Sequence, residues 1–577
     1  MGVHSDKAIW ELETEGIELL DLTIGDLLDQ QAGIVPDHEA LVYRYDEIGI
    51  NLRLTYRQYQ RQANRLAKGL LALGIASGEH VAVWATNLPE WALLQMATAK
   101  IGVVLITVNV NYRSSELEYV LRQGDVAMLV MIAKHRDNSF LDAVYSIAPE
   151  LRDIGDPASE ELHCANLPAL KRVVLIDADS QPGMLPYSQM LELGETISDK
   201  ALQERQSAVT PGDVAQIQYT SGTTGFPKGV MMTHHAMVNN GYLTFSRLGV
   251  ERGDRFVTPM PFFHVAGSLF SLVGALSHGV TLIPLIAFDP GKHLDLLAKE
   301  RGTHSLGVPT MLIAMLNHPD FQAGKFDLSS LRKMGSGGSP VPVALMEQIS
   351  KQMETDIWII YGMTETSCTI TFTKAVDGFH LKSGTVGLPL AHTEVKIVRP
   401  VTGETVGFGE RGEVVTRGFH VMRGYYNMAE KTAEAIDADG WFHSGDLATM
   451  NTQGYINIVG RVKDIVIRGG ENLFPAEIEA FLMRHPKIAD AQVVGVPDAF
   501  MGEEMVALLR LKSDERADEA EIREYCRASI SRQKVPKYIR FVTAFPMTAS
   551  GKVKKFELKE QLIKELGLEG VAKLKMA

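Results

Sequence analysis

The stretch Tyr219–Val230, which is YTSGTTGFPKGV, constrains the fold of this chain more than any other. It places four small hydroxyl residues, three glycines and one lysine in twelve positions. Glycine lets a backbone approach a ligand closely, and hydroxyls together with backbone N–H groups form a concave set of donors that suits phosphate oxygens. The alternating run Ala215–Tyr219 predicts a strand that leads into this loop. The sequence therefore predicts a strand followed by a phosphate-binding loop at one edge of a sheet.

This loop differs from the Walker A pattern, in which a hydroxyl residue follows the lysine and holds magnesium. Here Lys228 stands between Pro227 and Gly229, and a Ser/Thr/Gly-rich surface turn is the plain alternative for such a loop taken by itself. The stretch resembles the signature loop of the adenylate-forming superfamily, which includes acyl-CoA synthetases, luciferase-like enzymes and adenylation domains of peptide synthetases. The resemblance implies that the loop wraps the pyrophosphate part of ATP. The loop residues that it assigns to ATP are Thr220, Ser221, Gly222, Thr223, Thr224, Gly225 and Lys228.

Composition and charge narrow the class of protein. The chain has 577 residues, with 45% apolar and 22% charged side chains, so we expect a globular protein with more than one hydrophobic core. A net charge of −13 without a run of Lys or Arg argues against nucleic acid as a partner. The acidic N-terminus lacks the features of a signal peptide, and apolar runs such as Val126–Ala133 are too short to span a bilayer. Three widely spaced cysteines, Cys164, Cys368 and Cys526, indicate a reducing compartment, hence a cytoplasmic location.

The first 200 residues show the alternation of an α/β fold. Apolar residues at helical spacing predict helices over Thr55–Leu71 and Trp91–Ala99. The short runs Val81–Ala85 and Val103–Val110 predict buried strands, and such alternation indicates βαβ units with a largely parallel sheet. The polar segment Asp153–Ala165 is expected to be a surface excursion.

A change of pattern near Ala391 divides the chain. Short β-rich runs with glycine turns, typical of a small barrel-like subdomain, follow at Glu394–Val398, Gly412–Thr416 and Tyr455–Val459. A further segment of roughly 110 residues suffices for a domain of its own. We therefore expect a large N-terminal domain over residues 1–462, built from α/β subdomains and the barrel-like subdomain. A smaller, mobile α+β domain is expected over residues 463–577, with a helix opened by Pro475.

The motif Pro261–Gly267, which is PFFHVAG, contains His264 beside aromatic residues. A histidine in such a place is often a buried structural residue. The resemblance implies instead a catalytic residue that borders the acyl pocket and changes orientation between two half-reactions. Adenylation domains for α-amino acids have an aspartate near this place, and its absence here favours an acid without an α-amino group. The resemblance assigns the acyl pocket to Phe262, His264, Gly267, Gly335 and Gly362.

Two further segments resemble the adenine and metal sites of the superfamily. The small-residue run in Met334–Pro340, MGSGGSP, permits a flat ring against the backbone, although a plain turn explains it equally well. Ile360–Thr366, IYGMTET, follows it. The resemblance implies that Thr364 contacts the α-phosphate. It also implies that Glu365 and Thr224 bind Mg²⁺, which prefers carboxylate and phosphate oxygens. The residues assigned to the nucleotide in these two segments are Gly337, Gly338, Ser339, Tyr361, Gly362, Met363 and Thr364.

The remaining motifs lie in the last third of the chain. Asp446, in the stretch GWFHSGDLA, could simply close a turn, but the resemblance implies that it binds both ribose hydroxyls with help from Arg461. Lys463 matches the position of the hinge between the two domains. Lys552 stands in a basic tail, where a lysine is usually solvated, yet it matches the catalytic lysine that bridges the carboxylate and the α-phosphate. The residues that match the CoA tunnel are Gly469, Gly470, Glu471 and Asn472.

The resemblance covers nearly the whole chain and implies an acyl-CoA synthetase. Such an enzyme uses ATP, Mg²⁺ and CoA to convert a carboxylic acid through an acyl-adenylate to acyl-CoA. The segments His420–Tyr426 and Val462–Glu479 are most similar to medium-chain fatty-acid CoA ligases. The alternatives are a ligase that loads a carrier protein, a CoA ligase for an aromatic or other unusual acid, and an inactive binding or regulatory protein. A homodimer is compatible with the sequence.

Overall fold

The computed structural model describes residues 6–176, 180–220, 227–468, 471–498, 500–548 and 552–574. The chain divides into two compact units. The large unit consists of Leu12–Glu394 and Thr416–Phe442, and the small unit of Met1–Glu11, Val395–Val415 and His443–Ala577. The domain boundary predicted from the sequence, between residues 462 and 463, is the hinge about which the C-terminal domain is expected to rotate. It stays a prediction.

The large unit contains two sheets in which parallel pairing predominates, as predicted. Sheet A has eight strands within the described residues. In spatial order they are Leu185–Pro186, Arg172–Leu175, Val126–Met131, His80–Trp84, Val104–Thr107, Val214–Thr220, Lys228–Thr233 and Gly424–Tyr425. Sheet B has nine strands among the same described ranges. They are Leu388–Pro389, Thr371–Phe372, Asp356–Tyr361, Lys333–Gly337, His304–Leu306, Arg255–Thr258, Thr281–Pro284, Glu39–Tyr45 and Ile50–Thr55.

Helices pack against both sheets. Pro89–Lys100 is buried on almost every face, as expected for a helix that is apolar all round. Its Gln95 side chain donates hydrogen bonds to Gln216 Oε1 and to the Ser268 carbonyl, both at 3.1 Å. The helices of the large unit are Ile24–Ile34, Tyr56–Ala72, Pro89–Lys100, Ser114–Gln123, Phe140–Ile147, Tyr187–Leu193, Asp199–Gln206, His234–Leu248, Gly274–His278, Pro290–Lys299, Pro309–Leu316, Pro319–Gln322, Val343–Gln352, Phe379–Gly384 and Ala429–Ala435.

The sequence-based elements of this unit are largely confirmed. The helix Tyr56–Ala72 begins at a capping box formed by Thr55 and Gln58. The predicted strand Val103–Val110 is shorter in the structure, Val104–Thr107, because the chain turns at Asn109, whose carbonyl accepts the Tyr112 N–H at 3.0 Å. The segment 153–165 is irregular, as predicted. However, Leu162 and Cys164 are buried, so the segment is only partly a surface excursion.

The small unit contains most of sheet C and all of sheet D. The strands of sheet C are Ile9–Trp10, Thr393–Val398, Gly412–Gly418, Phe442–Met450 and Ile456–Arg461, which confirms the predicted β-rich pattern and adds an N-terminal strand. Those of sheet D are Glu471–Leu473, Val466–Arg468, Gly502–Leu511, Ile488–Asp498 and Tyr538–Phe541. The helices are Pro475–Leu482, Glu519–Ser529, Lys555–Glu565 and Glu569–Leu574.

The helices of the small unit give sheet D an α+β character. Ile478, Leu482 and Ile522 from the helices pack into one core with Val493 and Leu509 from the strands. In neither unit do the described residues include a helix of the length and apolarity needed to cross a membrane.

Candidate active site

The hairpin formed by Val214–Thr220 and Lys228–Thr233 holds the two ends of the signature loop. The strands are antiparallel, and Thr220 pairs directly with Lys228. The Tyr119 hydroxyl donates to the Pro227 carbonyl at 3.0 Å, which fixes the point where the chain re-enters the sheet. The predicted ATP residues Ser221, Gly222, Thr223, Thr224 and Gly225 lie outside the described residues, so for these residues the assignment stays a prediction.

Two neighbouring parallel strands of sheet B bring the predicted adenine and metal segments together. Lys333–Gly337 and Asp356–Tyr361 pair in register, with Gly337 opposite Ile360. Both segments therefore leave the same carboxyl edge of the sheet, where ligands bind in open α/β folds. Gly337 ends the first strand and Gly338 and Ser339 follow it, whereas Tyr361 ends the second.

Backbone geometry explains the glycine at the start of the metal segment. A Cβ atom on Gly362 would lie 1.8 Å from the Cys368 carbonyl oxygen, so no side chain fits there. The next turn is closed by hydrogen bonds between Met363 and Thr366. Ser367 and Cys368 then adopt positive φ angles of 46° and 85°, a strained conformation that clusters at functional sites. Within this turn Thr364 is buried and Glu365 is half-buried.

Glu365 is tied to a residue that the sequence analysis did not assign to the site. The Tyr425 hydroxyl donates a hydrogen bond to Glu365 Oε1 at 3.0 Å. The ammonium of Lys228 lies over the same tyrosine ring, 4.0 Å from its centroid. Burial, and then the Glu365 carboxylate, raises the pKa of Tyr425 well above its ordinary value, so this hydroxyl remains a donor. One tyrosine thus connects the predicted metal ligand with the lysine of the signature loop.

The turn that holds His264 is anchored by strands of sheet A. The Phe263 carbonyl accepts a hydrogen bond from the Thr107 hydroxyl at 3.0 Å and another from the Gln218 side chain. Both donors stand near the carboxyl ends of adjacent strands. His264 Nδ1 accepts the Ala266 N–H at 3.2 Å, which leaves the ring proton on Nε2. The anchoring hydrogen bonds therefore fix the histidine's backbone and tautomer.

The glycines that the sequence assigns to the acyl pocket lie in crowded places. A Cβ on Gly335 would meet the Trp358 indole at 1.9 Å, and one on Gly267 would meet the Pro261 carbonyl at 2.2 Å. Phe262 is fully buried and lies 5.2 Å from the ring of Trp91. The π-helical turn Ala266–Val273 follows the motif and is almost entirely buried; such turns are frequent at functional sites. Substrate contacts for these residues stay a prediction.

In the small unit, Asp446 and Arg461 face each other across two antiparallel strands. Arg461 Nε donates to Asp446 Oδ1 at 3.0 Å. The aspartate side chain is buried and the arginine is more than half exposed. An ionised carboxylate held in this way is a suitable acceptor for two hydroxyl groups.

A second unpredicted residue, Glu413, supports the turn before Asp446. Its Oε1 accepts the Gly445 N–H at 2.9 Å and its Oε2 lies 3.1 Å from Nδ1 of His443. Ser444 completes the turn by donating to the Val414 carbonyl at 2.6 Å. No local sequence pattern indicates these contacts, because Glu413 belongs to the preceding strand of sheet C.

The other predicted residues of the small unit occupy separate places. Lys463 lies exposed in a short turn, Val462–Asp464, between sheets C and D. Gly469 and Gly470 fall outside the described residues, and Glu471 and Asn472 begin an edge strand of sheet D. Lys552 makes two hydrogen bonds with Thr548. The Thr548 N–H donates to the Lys552 carbonyl at 2.7 Å, and the Lys552 N–H donates to the Thr548 hydroxyl at 2.9 Å.

Models of two protein families match the sequence. The model described as "AMP-binding enzyme" matches residues 28–426, and the model described as "AMP-binding enzyme C-terminal domain" matches residues 477–552. These ranges include most of the predicted site residues, from the signature loop to Glu365 in the first match and Lys552 in the second.

The chain is similar to full-length relatives. A putative acyl-CoA synthetase, YngI of Bacillus subtilis, is 45% identical over 96% of this chain and 99% of its own length. The mitochondrial medium-chain acyl-CoA ligase ACSF2 of Mus musculus is 39% identical over 95% of this chain and 89% of its own. The crystal structure of the anthranilate CoA ligase AuaEII in complex with anthranoyl-AMP has a TM-score of 0.81 at 25% identity, covering 95% of this chain and 99% of that one.

Proposed function

The chain belongs to the AMP-binding enzyme family and is an acyl-CoA synthetase, and we propose that it activates a medium-chain fatty acid. A carboxylate oxygen attacks the α-phosphorus of ATP, and the bond to the bridging oxygen breaks to release pyrophosphate. The thiol of CoA then attacks the acyl carbon of the acyl-adenylate, and AMP leaves. The first step concentrates negative charge, so the site needs backbone donors and cations aimed at the phosphates.

The roles of individual residues follow from this chemistry. Asp446, oriented by Arg461, would accept hydrogen bonds from both ribose hydroxyls. Lys228 and the loop it closes would hold the pyrophosphate, and Gly337, Gly338, Ser339, and Tyr361 would surround the adenine. Thr364 would contact the α-phosphate. The arrangement that supports this best is the contact between Lys228, Tyr425 and Glu365, since it groups a cation and a carboxylate beside the signature loop.

Glu365 is suited to Mg²⁺ by its chemistry. The described residues contain no group of three or more His, Cys, Asp or Glu that could hold a metal ion. One or two carboxylates are nevertheless the usual protein ligands of a Mg²⁺ ion that also binds substrate phosphates. Glu365 is half-buried, and Tyr425 fixes one of its oxygens. When bound, Mg²⁺ would neutralise charge on the phosphates; Thr224, the second proposed ligand, lies outside the described residues.

A fatty acid is favoured by the surroundings of His264. The motif PFFHVAG has no carboxylate that could pair a substrate ammonium, and the turn after it is apolar and buried. The mouse relative is named a medium-chain acyl-CoA ligase. Discrimination by one methylene is only about 1–3 kcal/mol, so we expect a preference for octanoate that declines gradually with shorter and longer chains.

A substrate panel tests this proposal. Pyrophosphate release would be measured with butyrate, octanoate, palmitate, benzoate and anthranilate, each with and without CoA. We expect the highest kcat/KM for octanoate and sustained turnover only with CoA. A preference for an aromatic acid would contradict the proposed substrate, and turnover that needs a carrier protein instead of CoA would contradict the proposed acceptor.

If the C-terminal domain rotates about Lys463 between the two half-reactions, a rigid residue at this hinge should affect the two half-reactions unequally. Lys463→Pro fixes φ at about −65° and should hold the C-terminal domain in one orientation. We expect one half-reaction, adenylation or thioester formation, to proceed nearly normally while the other is lost. The two steps would be measured separately by rapid quench, and equal losses in both would show that residue 463 is not the pivot.

Glu413 should matter for stability and for ATP binding together. Glu413→Ala leaves the half-buried Gly445 N–H without its charged acceptor, which costs about 1–3 kcal/mol in the free energy of unfolding. Because the turn orients Asp446, the KM for ATP should rise as well. Urea unfolding and ATP titration would measure the two effects. Glu410→Ala, which removes an exposed glutamate near Arg399, is the control and should change stability by less than about 0.5 kcal/mol.

We further propose a cytoplasmic location and a homodimer, with the acid, ATP and CoA as small-molecule partners and no nucleic acid. The three cysteines are free and buried, which suits a reducing compartment. Cell fractionation and sedimentation would test both points.

A further inference from the structure

We propose that Tyr425 is a positioning residue that fixes Glu365 for magnesium and holds Lys228 of the signature loop beside it. This rests on the proposed function, in which Glu365 binds the metal and Lys228 the phosphates. Neither role requires Tyr425 to touch the substrate. Its place between a carboxylate and an ammonium sets the distance between two groups that must meet the same phosphate chain.

The geometry of Tyr425 serves both neighbours at once. Its hydroxyl donates to Glu365 Oε1 at 3.0 Å, and its ring face lies under Lys228 Nζ, 4.0 Å from the centroid. Only 4% of the residue is exposed. Lys228 itself is half-buried, and a cation over an aromatic face is held more tightly in a partly desolvated place than at an exposed surface. The hydrogen bond orients the carboxylate and leaves lone pairs on both of its oxygens for other ligands.

The tyrosine is itself held by the backbone. The strand Gly424–Tyr425 pairs with Lys228–Thr233, with Tyr425 opposite Val230. The Tyr425 N–H donates to the Thr432 hydroxyl at 2.9 Å. The Met422 N–H donates to the Glu365 carbonyl at 2.8 Å, so the same segment grips the glutamate by its main chain. These contacts leave the ring one position, between the signature hairpin and the metal segment.

In this proposal Tyr425 supports the metal ligand Glu365 without binding the metal itself. Carboxylates that bind metals are in general hydrogen-bonded in turn, and loss of such a partner typically costs about 10–100-fold in metal affinity or activity. Removing the hydroxyl should therefore weaken the contribution of Mg²⁺ to nucleotide binding. Removing the ring should in addition loosen Lys228, which acts on the phosphates whether or not the metal is present.

The test separates these two contributions by binding. The affinity for α,β-methylene-ATP would be measured by calorimetry, once with Mg²⁺ and once with a chelator. Tyr425→Phe removes the hydroxyl and keeps the ring, whereas Tyr425→Leu removes both. Tyr426→Phe is the matched control, since the Tyr426 hydroxyl also donates to a carboxylate, but to the exposed Asp125 Oδ2, at 2.9 Å, instead of Glu365. Melting temperatures would verify that each variant is folded.

In Tyr425→Phe we expect the ratio of the nucleotide affinities with and without Mg²⁺ to fall about tenfold. The affinity without metal should stay unchanged. Tyr425→Leu should bind the nucleotide about threefold more weakly than Tyr425→Phe, both with and without metal. Tyr426→Phe should match the unmodified protein. An unchanged Mg²⁺ gain in Tyr425→Phe, or an equal loss with and without metal, would overturn the proposal. Glu365→Gln tests the premise separately: if that variant keeps the full Mg²⁺ gain, the metal assignment of Glu365 fails and the role of Tyr425 fails with it.

Discussion

Lys552→Ala is expected to slow acyl-adenylate formation by at least about 10²–10³-fold, the usual effect of removing one preorganised charge-stabilising group. In the proposed mechanism the Lys552 ammonium acts only while the carboxylate and the α-phosphate react, so ATP binding should change little. The main chain at residue 552 should stay in place, because alanine keeps the carbonyl that accepts the Thr548 N–H and the N–H that donates to the Thr548 hydroxyl. Rapid-quench measurement of each half-reaction checks this.

Lys554→Ala is the matched control for this variant. Lys554 lies two residues further along the same basic segment and pairs with Glu557 at 2.7 Å, so its loss should leave both half-reactions near normal. CoA attack on a supplied acyl-adenylate should also survive Lys552→Ala, because the proposed rotation of the C-terminal domain would already have moved the lysine out of the site. Normal adenylation in Lys552→Ala would remove the lysine from the mechanism. An equal loss in thioester formation would contradict the proposed rotation of the C-terminal domain.

Glu365→Ala is expected to reduce the rate of adenylation by at least about 10²-fold, because it removes the proposed protein ligand of a metal that stabilises transition-state charge. The variant should also require more Mg²⁺ to reach its own maximum. The fold should persist, since Gly424–Tyr425 stays paired with Lys228–Thr233 and the Met422 N–H can still donate to the main-chain carbonyl of residue 365. Initial rates of pyrophosphate release over a range of Mg²⁺ concentrations measure both quantities.

Glu347→Ala provides the comparison for that experiment. Glu347 is an exposed glutamate on the helix Val343–Gln352, and its removal should alter neither the rate nor the Mg²⁺ requirement. If Glu365→Ala keeps the rate and the Mg²⁺ dependence of the unmodified protein, the carboxylate is not a metal ligand and the magnesium assignment has to be abandoned.

Local sequence patterns predicted the elements of this fold that depend on neighbours in the chain. The strand before the signature loop and the amphipathic helix that begins after Thr55 both depend on residue spacing and capping, and the structure confirms them. The adenine and metal segments were assigned to one nucleotide site by the resemblance alone. The pairing of Lys333–Gly337 with Asp356–Tyr361 is the physical basis of that part of the site.

Contacts between distant segments could not be predicted in this way. The hydrogen bond between Tyr425 and Glu365 joins residues 60 positions apart, and neither residue type nor spacing indicates it. The same holds for Glu413 and Gly445, which meet only because their strands are neighbours in sheet C. The strand Ile9–Trp10 was missed because two residues carry no periodicity, and its position depends on pairing with Thr393–Val398.

The most direct test of the mechanism follows an oxygen atom. Octanoate labelled with heavy oxygen in its carboxylate would be converted with ATP and CoA, and the released AMP would be analysed by mass spectrometry. Attack of the carboxylate on the α-phosphorus predicts one labelled oxygen in each AMP and none in pyrophosphate. Label in inorganic phosphate with formation of ADP would mean an acyl phosphate intermediate, and unlabelled AMP would mean that the carboxylate is not the nucleophile; either result would contradict the proposed adenylation.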